Sequence, residues 1–114
     1  MMLVNLVEKL GYDTLEAADG KQALEKILEH KDTLSAILLD LEMPVMNGMK
    51  LLKHLKKNTA LRHLPVVIQT ASEQSNQIAE CLETGAHSCL IKPLDLDMIK
   101  SALSSALQHE GSHP

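Results

Sequence analysis

The chain's 114 residues are one domain's worth of length, and 45% hydrophobic residues can build one buried core with room for nothing else. A net charge of −4 gives no overall electrostatic footprint for nucleic acid or an anionic membrane, and Tyr12 alone cannot supply the aromatic platforms that stack single-stranded bases. The sequence shows neither a signal-peptide pattern nor an apolar run of membrane-spanning length, so the expected location is cytoplasmic.

In chain order, Leu3, Leu6, Val7 and Leu10 recur at helical spacing, with Gly11 as a left-handed terminator. Residues 12–17 mix polar and apolar side chains as an edge strand does. Asp19 reads as the N-cap of the next helix, with Gln22 completing a capping box and Ala23, Leu24, Ile27 and Leu28 forming its buried stripe. The apolar run from Ala36 to Leu39 predicts a strand buried on both faces, ending at Asp40 and followed by a loop punctuated by Pro44, Asn47 and Gly48. Asn47 can cap a helix whose inner face is Met49, Leu52 and Leu55, while Lys50, Lys53, Lys56 and Lys57 fall on a solvated outer face.

Residues 58–64 read as a connector, and Pro65 can start the strand that runs into Thr70, Ala71 and Ser72. Ser72 is the expected cap of a helix reaching Thr84 and stopped by Gly85, held by a thin stripe of Ile78, Ala79, Cys81 and Leu82. Ser88 to Ile91 is the last strand, followed by Lys92-Pro93. Asp95 then caps a strongly amphipathic helix with Met98, Ile99, Ala102, Leu103, Ala106 and Leu107 on one face. Residues 1–110 make the domain and 111–114 a frayed tail. Strands alternating with helices predict an α/β fold with right-handed crossovers and a parallel sheet. Cys81 and Cys89 lack metal or redox spacing and read as small core residues, the six histidines hold no metal, and no glycine-rich phosphate loop appears.

In a parallel sheet, Asp40, Thr70 and Lys92 converge on the rim outside the carboxyl ends of the strands, where ligands gather in open α/β folds. Each alone has an ordinary reading: Asp40 as a loop cap, Thr70 bonding its own turn, Lys92 as a surface lysine. Together they match phosphoryl transfer to a carboxylate. Asp40 supplies an oxygen nucleophile, Lys92 a point charge on a long stem, and Thr70 a hydroxyl for a phosphoryl oxygen.

This trio, with Met43-Pro44 and Gly48 after the acid and Lys92-Pro93 late in the chain, resembles the receiver domain of bacterial response regulators over nearly the whole sequence. The resemblance implies a flavodoxin-like (CheY-like) doubly wound sheet, with Asp40 as phospho-acceptor taking its phosphoryl group from a sensor histidine kinase or phosphotransfer protein. It implies no enzyme activity beyond self-phosphorylation and autodephosphorylation. Ala71 would leave room beside the phosphoryl group, and a cis Lys92-Pro93 bond would aim the lysine inward. Thr70 would turn inward to pass the signal to the helix and strand that follow. Magnesium would be held by Asp40, the backbone carbonyl of Glu42 and an acidic pair ending a first strand. This chain has no such pair and starts within the first helix, so magnesium binding is expected to be weak or absent and phosphorylation slow. Cys89 stands where the family usually has an aromatic residue or His. The alternative is a phosphorylation-incompetent pseudo-receiver serving as an interaction or dimerisation module. An uncovered edge beside the Asp40 strand further predicts a homodimer, with a rearranged monomer as the competing outcome.

Overall fold

A computed structural model describes residues 7–41, 48–71 and 75–111. Helical residues 7–9, the described end of helix α1, give way to Gly11 at φ 94°, the left-handed stop that the sequence predicts. There follow α2 (Gly20–His30), β1 (Ile37–Asp40), α3 (Gly48–Lys57), β2 (Val66–Thr70), α4 (Ser75–Thr84), β3 (Ser88–Ile91) and α5 (Leu96–Gly111). The three strands form a parallel sheet in the order β1-β2-β3, as the alternation of strand and helix requires.

Strand periodicity decides which helix each apolar residue meets. Val66 and Ile68 of β2 join Leu39 and Cys89 on the face covered by Ile27 of α2, Leu51, Leu52 and Leu55 of α3 and Cys81 of α4. Val67 points the other way, with Leu38 and Leu90, onto Ala102 and Ala106 of α5. Ile99 and Leu103 extend that second layer to Val7 and Tyr12. Helices thus cover both faces, which is why all five residues of β2 are buried and the strands read as continuous apolar runs.

The caps are local and follow the sequence. The Gln22 N–H donates to Asp19 Oδ1 at 2.8 Å, while the Gln22 side chain accepts from the Ala18 N–H at 2.7 Å, one residue before the usual box. At α5 the Met98 N–H donates to Asp95 Oδ1 at 2.8 Å. Gly85, at φ 119°, closes α4. The caps expected at Asn47 and Ser72 lie outside the described residues.

Four expectations are corrected or extended. Residues 12–17 form no strand, because the order β1-β2-β3 leaves them no ladder partner among the described residues. They are tied down by side chains instead: Tyr12 packs in the second layer, Thr14 Oγ1 donates to Glu8 Oε2, and Lys26 Nζ donates to the Glu16 carbonyl. Leu28 is 46% exposed, so the inner stripe of α2 ends at Ile27. The 58–64 connector is part of the core. Its turn, closed by Leu61 and Arg62 N–H groups on the Asn58 carbonyl, drives Leu61 and Leu64 to full burial.

The fourth correction is Lys56. Its Nζ donates to the carbonyls of Arg62 at 3.1 Å and Leu64 at 2.9 Å, and its stem lies beside Gly85, so it ties the end of α3 to that turn. Burial pushes its ammonium below the usual lysine pKa. Lys56→Met keeps the stem but strands two carbonyls, an expected cost of about 1–3 kcal/mol. In the alkaline window between the lowered folded pKa and the usual value, the unfolded chain binds more protons, so wild-type stability should rise with pH relative to Lys56→Met. Urea midpoints across a pH series check this; a constant difference would show a solvated ammonium.

Gly48 fixes how α3 meets β1. Its N–H donates to the Leu41 carbonyl at 3.1 Å, and a Cβ there would lie 2.5 Å from the Asp40 carbonyl oxygen and 2.6 Å from Leu41 Cα. Both obstacles are backbone and cannot rotate away. Gly48→Ala is expected to destabilise the fold by about 1–3 kcal/mol, read as a lower urea midpoint at unchanged slope.

Candidate functional site

Three loops leave the sheet at its carboxyl rim, and the ladder sets their relative heights. Asp40 is level with Gln69, and Thr70 with Ile91. The Leu41 N–H donates to the Gln69 carbonyl at 3.0 Å and the Lys92 N–H to the Thr70 carbonyl at 2.8 Å, so both rim loops remain hydrogen-bonded to β2 one residue past their strands. Asp40, Thr70 and Lys92, predicted separately from three strand ends, therefore share one rim.

Lys92 reaches across the end of β2 to Asp40, with Nζ 2.8 Å from Oδ2. The side chains are 34% and 31% exposed respectively, enough shielding to strengthen the pair beyond a surface contact and enough opening for a reactant to reach the carboxylate. The Lys92-Pro93 peptide is cis, as expected. Asp40 shares the parity of Leu38, on the α5 side, whereas Thr70 shares that of Ile68, on the side of α3 and α4. Thr70 is fully buried, and Ala71 beyond it is exposed with no side chain beyond Cβ to fill the rim.

Glu42, expected to offer its carbonyl to a metal, lies outside the described residues. Among the described residues no three His, Cys, Asp or Glu side chains converge on a common point. Among the described residues Asp40 is the carboxylate at the rim, and it already faces an ammonium. Magnesium demands six oxygens in near-octahedral array, of which the described rim residues offer the Asp40 carboxylate alone.

Two rim features were not legible as functional. Gln69, level with Asp40, is buried although polar; its signal was a lone amide in an apolar run. Gly48 was read as loop punctuation, yet it is packed against the backbone of Asp40 itself. Cys81 and Cys89 are free thiols. Cys81 is buried, and burial first, then the charges of Cys89 and Glu80, raise its pKa, so it is the inert core residue expected. No described helix is long and apolar enough to cross a membrane.

The family model for the response regulator receiver domain matches residues 1–104. The sporulation initiation phosphotransferase F of Bacillus subtilis is 35% identical over 94% of this chain and 83% of its own length. Sensor protein EvgS of Escherichia coli is 38% identical over 99% of this chain, which spans only 9% of that protein. Among solved structures, a receiver domain protein from Clostridium thermocellum superposes with a TM-score of 0.89 at 24% identity, over 96% of this chain and 86% of that one. The CheX–CheY–BeF3–Mg complex from Borrelia burgdorferi matches with a TM-score of 0.85 at 26% identity, over 91% of this chain and 77% of that chain. With the strand-end trio on one rim of a parallel sheet, these matches establish that the chain belongs to the response regulator receiver domain family of two-component systems.

Proposed function

We propose that Asp40 is the phospho-acceptor of this receiver domain, on the strength of one observation: the Lys92 ammonium held 2.8 Å from its carboxylate at the sheet rim. A carboxylate oxygen is the attacking group, and an adjacent cation absorbs charge on the incoming phosphoryl oxygens. An Asp40 oxygen forms the new P–O bond as the P–N bond of a phosphohistidine on a kinase or phosphotransfer protein breaks, and the departing imidazole keeps the electron pair. Thr70 is a positioning hydroxyl whose parity aims it at the α4 side. Of the stripe expected to anchor α4, Cys81 is buried whereas Ala79 and Leu82 are exposed, so α4 is the element most easily displaced when Thr70 turns toward a phosphoryl oxygen. Ala71 and Pro93 border the phosphoryl position. The domain works in the cytoplasm, beside its kinase.

Magnesium binding is weak in this chain, because one carboxylate leaves most of the ion's shell to water. Incubation with phosphoramidate or acetyl phosphate should therefore give slow labelling that magnesium barely accelerates. The label should be sensitive to hydroxylamine, as an acyl phosphate is, absent in Asp40→Asn, and reduced about a hundredfold in Lys92→Ala. Label surviving Asp40→Asn would move the acceptor elsewhere. A folded chain taking no label under any condition would favour the pseudo-receiver reading, in which the rim serves recognition alone.

A second proposal concerns assembly. The Ile37 N–H donates to Pro65 and that of Leu41 to Gln69, so alternation turns the N–H and C=O of Leu38 away from β2, toward an edge that no described strand covers. Such edges recruit strands, and a second copy pairing there gives a homodimer. Sedimentation equilibrium at micromolar concentration should return the dimer mass, and Leu38→Pro should shift it to monomer. A wild-type monomer would overturn the proposal.

A further inference from the structure

The charge of this chain is segregated. Residues 48–64 contain Lys50, Lys53, Lys56, Lys57 and Arg62 and no acid, while the remaining sequence holds six basic against fifteen acidic residues, a charge of −9. With Lys56 turned inward onto two carbonyls, Lys50, Lys53, His54 and Lys57 are left exposed along α3, where with Asn58 they line an open cavity of about 690 Å³. Their spacing of three and four residues stacks them on one face over two turns of helix. Like charges at that spacing destabilise a helix, and α3 has no acid of its own to offset them. Relief comes from α4, where Glu80 stands 4.0 Å from Lys53. The core contacts of α3 do not involve this face: its inner face is supplied by Leu51, Leu52 and Leu55.

We infer that the outer face of α3 is a docking surface for a carboxylate-rich polypeptide segment of a partner protein. Charge complementarity selects the class. An extended polyanion such as duplex DNA, or an anionic membrane, would bring its field against the −9 carried by the rest of the domain, whereas a short acidic helix meets the lysines alone. Carboxylates three and four residues apart on such a helix repeat the lysine spacing. The described residues that line the cavity all carry polar or charged ends, so the contact is polar, fast and sensitive to salt.

The test uses the whole chain and a fluorescein-labelled helical peptide with Glu at positions i, i+3, i+4 and i+7, followed by anisotropy, with the Gln version of the peptide as control. Lys50→Glu/Lys53→Glu/Lys57→Glu should weaken binding by about tenfold or more, and raising ionic strength should weaken it similarly. Lys9→Glu/Lys21→Glu/Lys100→Glu makes the same change in net charge on other exposed lysines and should alter binding by less than about twofold. Circular dichroism confirms that both variants are folded. Equal loss in the two variants, no binding of the Glu peptide, or tighter lysine-dependent binding of duplex DNA or phosphatidylserine vesicles would each overturn the inference.

Discussion

The parallel ladder through β2 constrains everything else in this domain. A strand paired on both edges has its backbone groups satisfied by its neighbours, so its side chains are free to be apolar on both faces, and helices must then cover both. Each parallel neighbour needs a crossover, and the two crossovers supply α3 and α4 on one face, while α5, which follows the last strand, covers the other. Because all three strands run the same way, their carboxyl ends share one rim. Asp40, Thr70 and Lys92 meet there although the first and last are fifty-two residues apart.

At that rim, geometry and electrostatics divide the labour. The half-shielded Lys92–Asp40 pair keeps a carboxylate reachable, while the fully buried Thr70 lies on the opposite parity, toward α4, which among its described residues buries only Cys81. Under the proposed function, charge arriving at the carboxylate would compete for the ammonium and draw on the hydroxyl, and would so reach the α4 layer. The same close packing limits variation: Gly48 brings the start of α3 so near the Asp40 carbonyl that one methyl group would not fit.

Away from the rim, α3 presents two unlike faces. Its leucines are fully buried in the core, and its exposed lysines concentrate positive charge on an otherwise acidic domain. Lys56 belongs to neither, because its ammonium closes the turn that carries Leu61 and Leu64 into the core.

The sequence by itself determined what is local. Asp19 and Asp95 cap their helices, Gly11 and Gly85 end theirs at positive φ, and Ser88–Ile91 is the strand that its apolar run implied. It also determined the candidate site, because each member sits at the end of its own apolar run and parallel pairing does the rest. Tertiary structure alone decided whatever depends on a distant partner. Residues 12–17 have strand-like composition but no ladder to join, Leu28 fits the helical period but meets nothing to bury it, and Leu61, Leu64 and Lys56 look like connector and surface until the chain folds back on them. Propensity and periodicity report what a segment can present to a neighbour. Whether the neighbour is there is settled by contacts far apart in sequence, which no local pattern encodes.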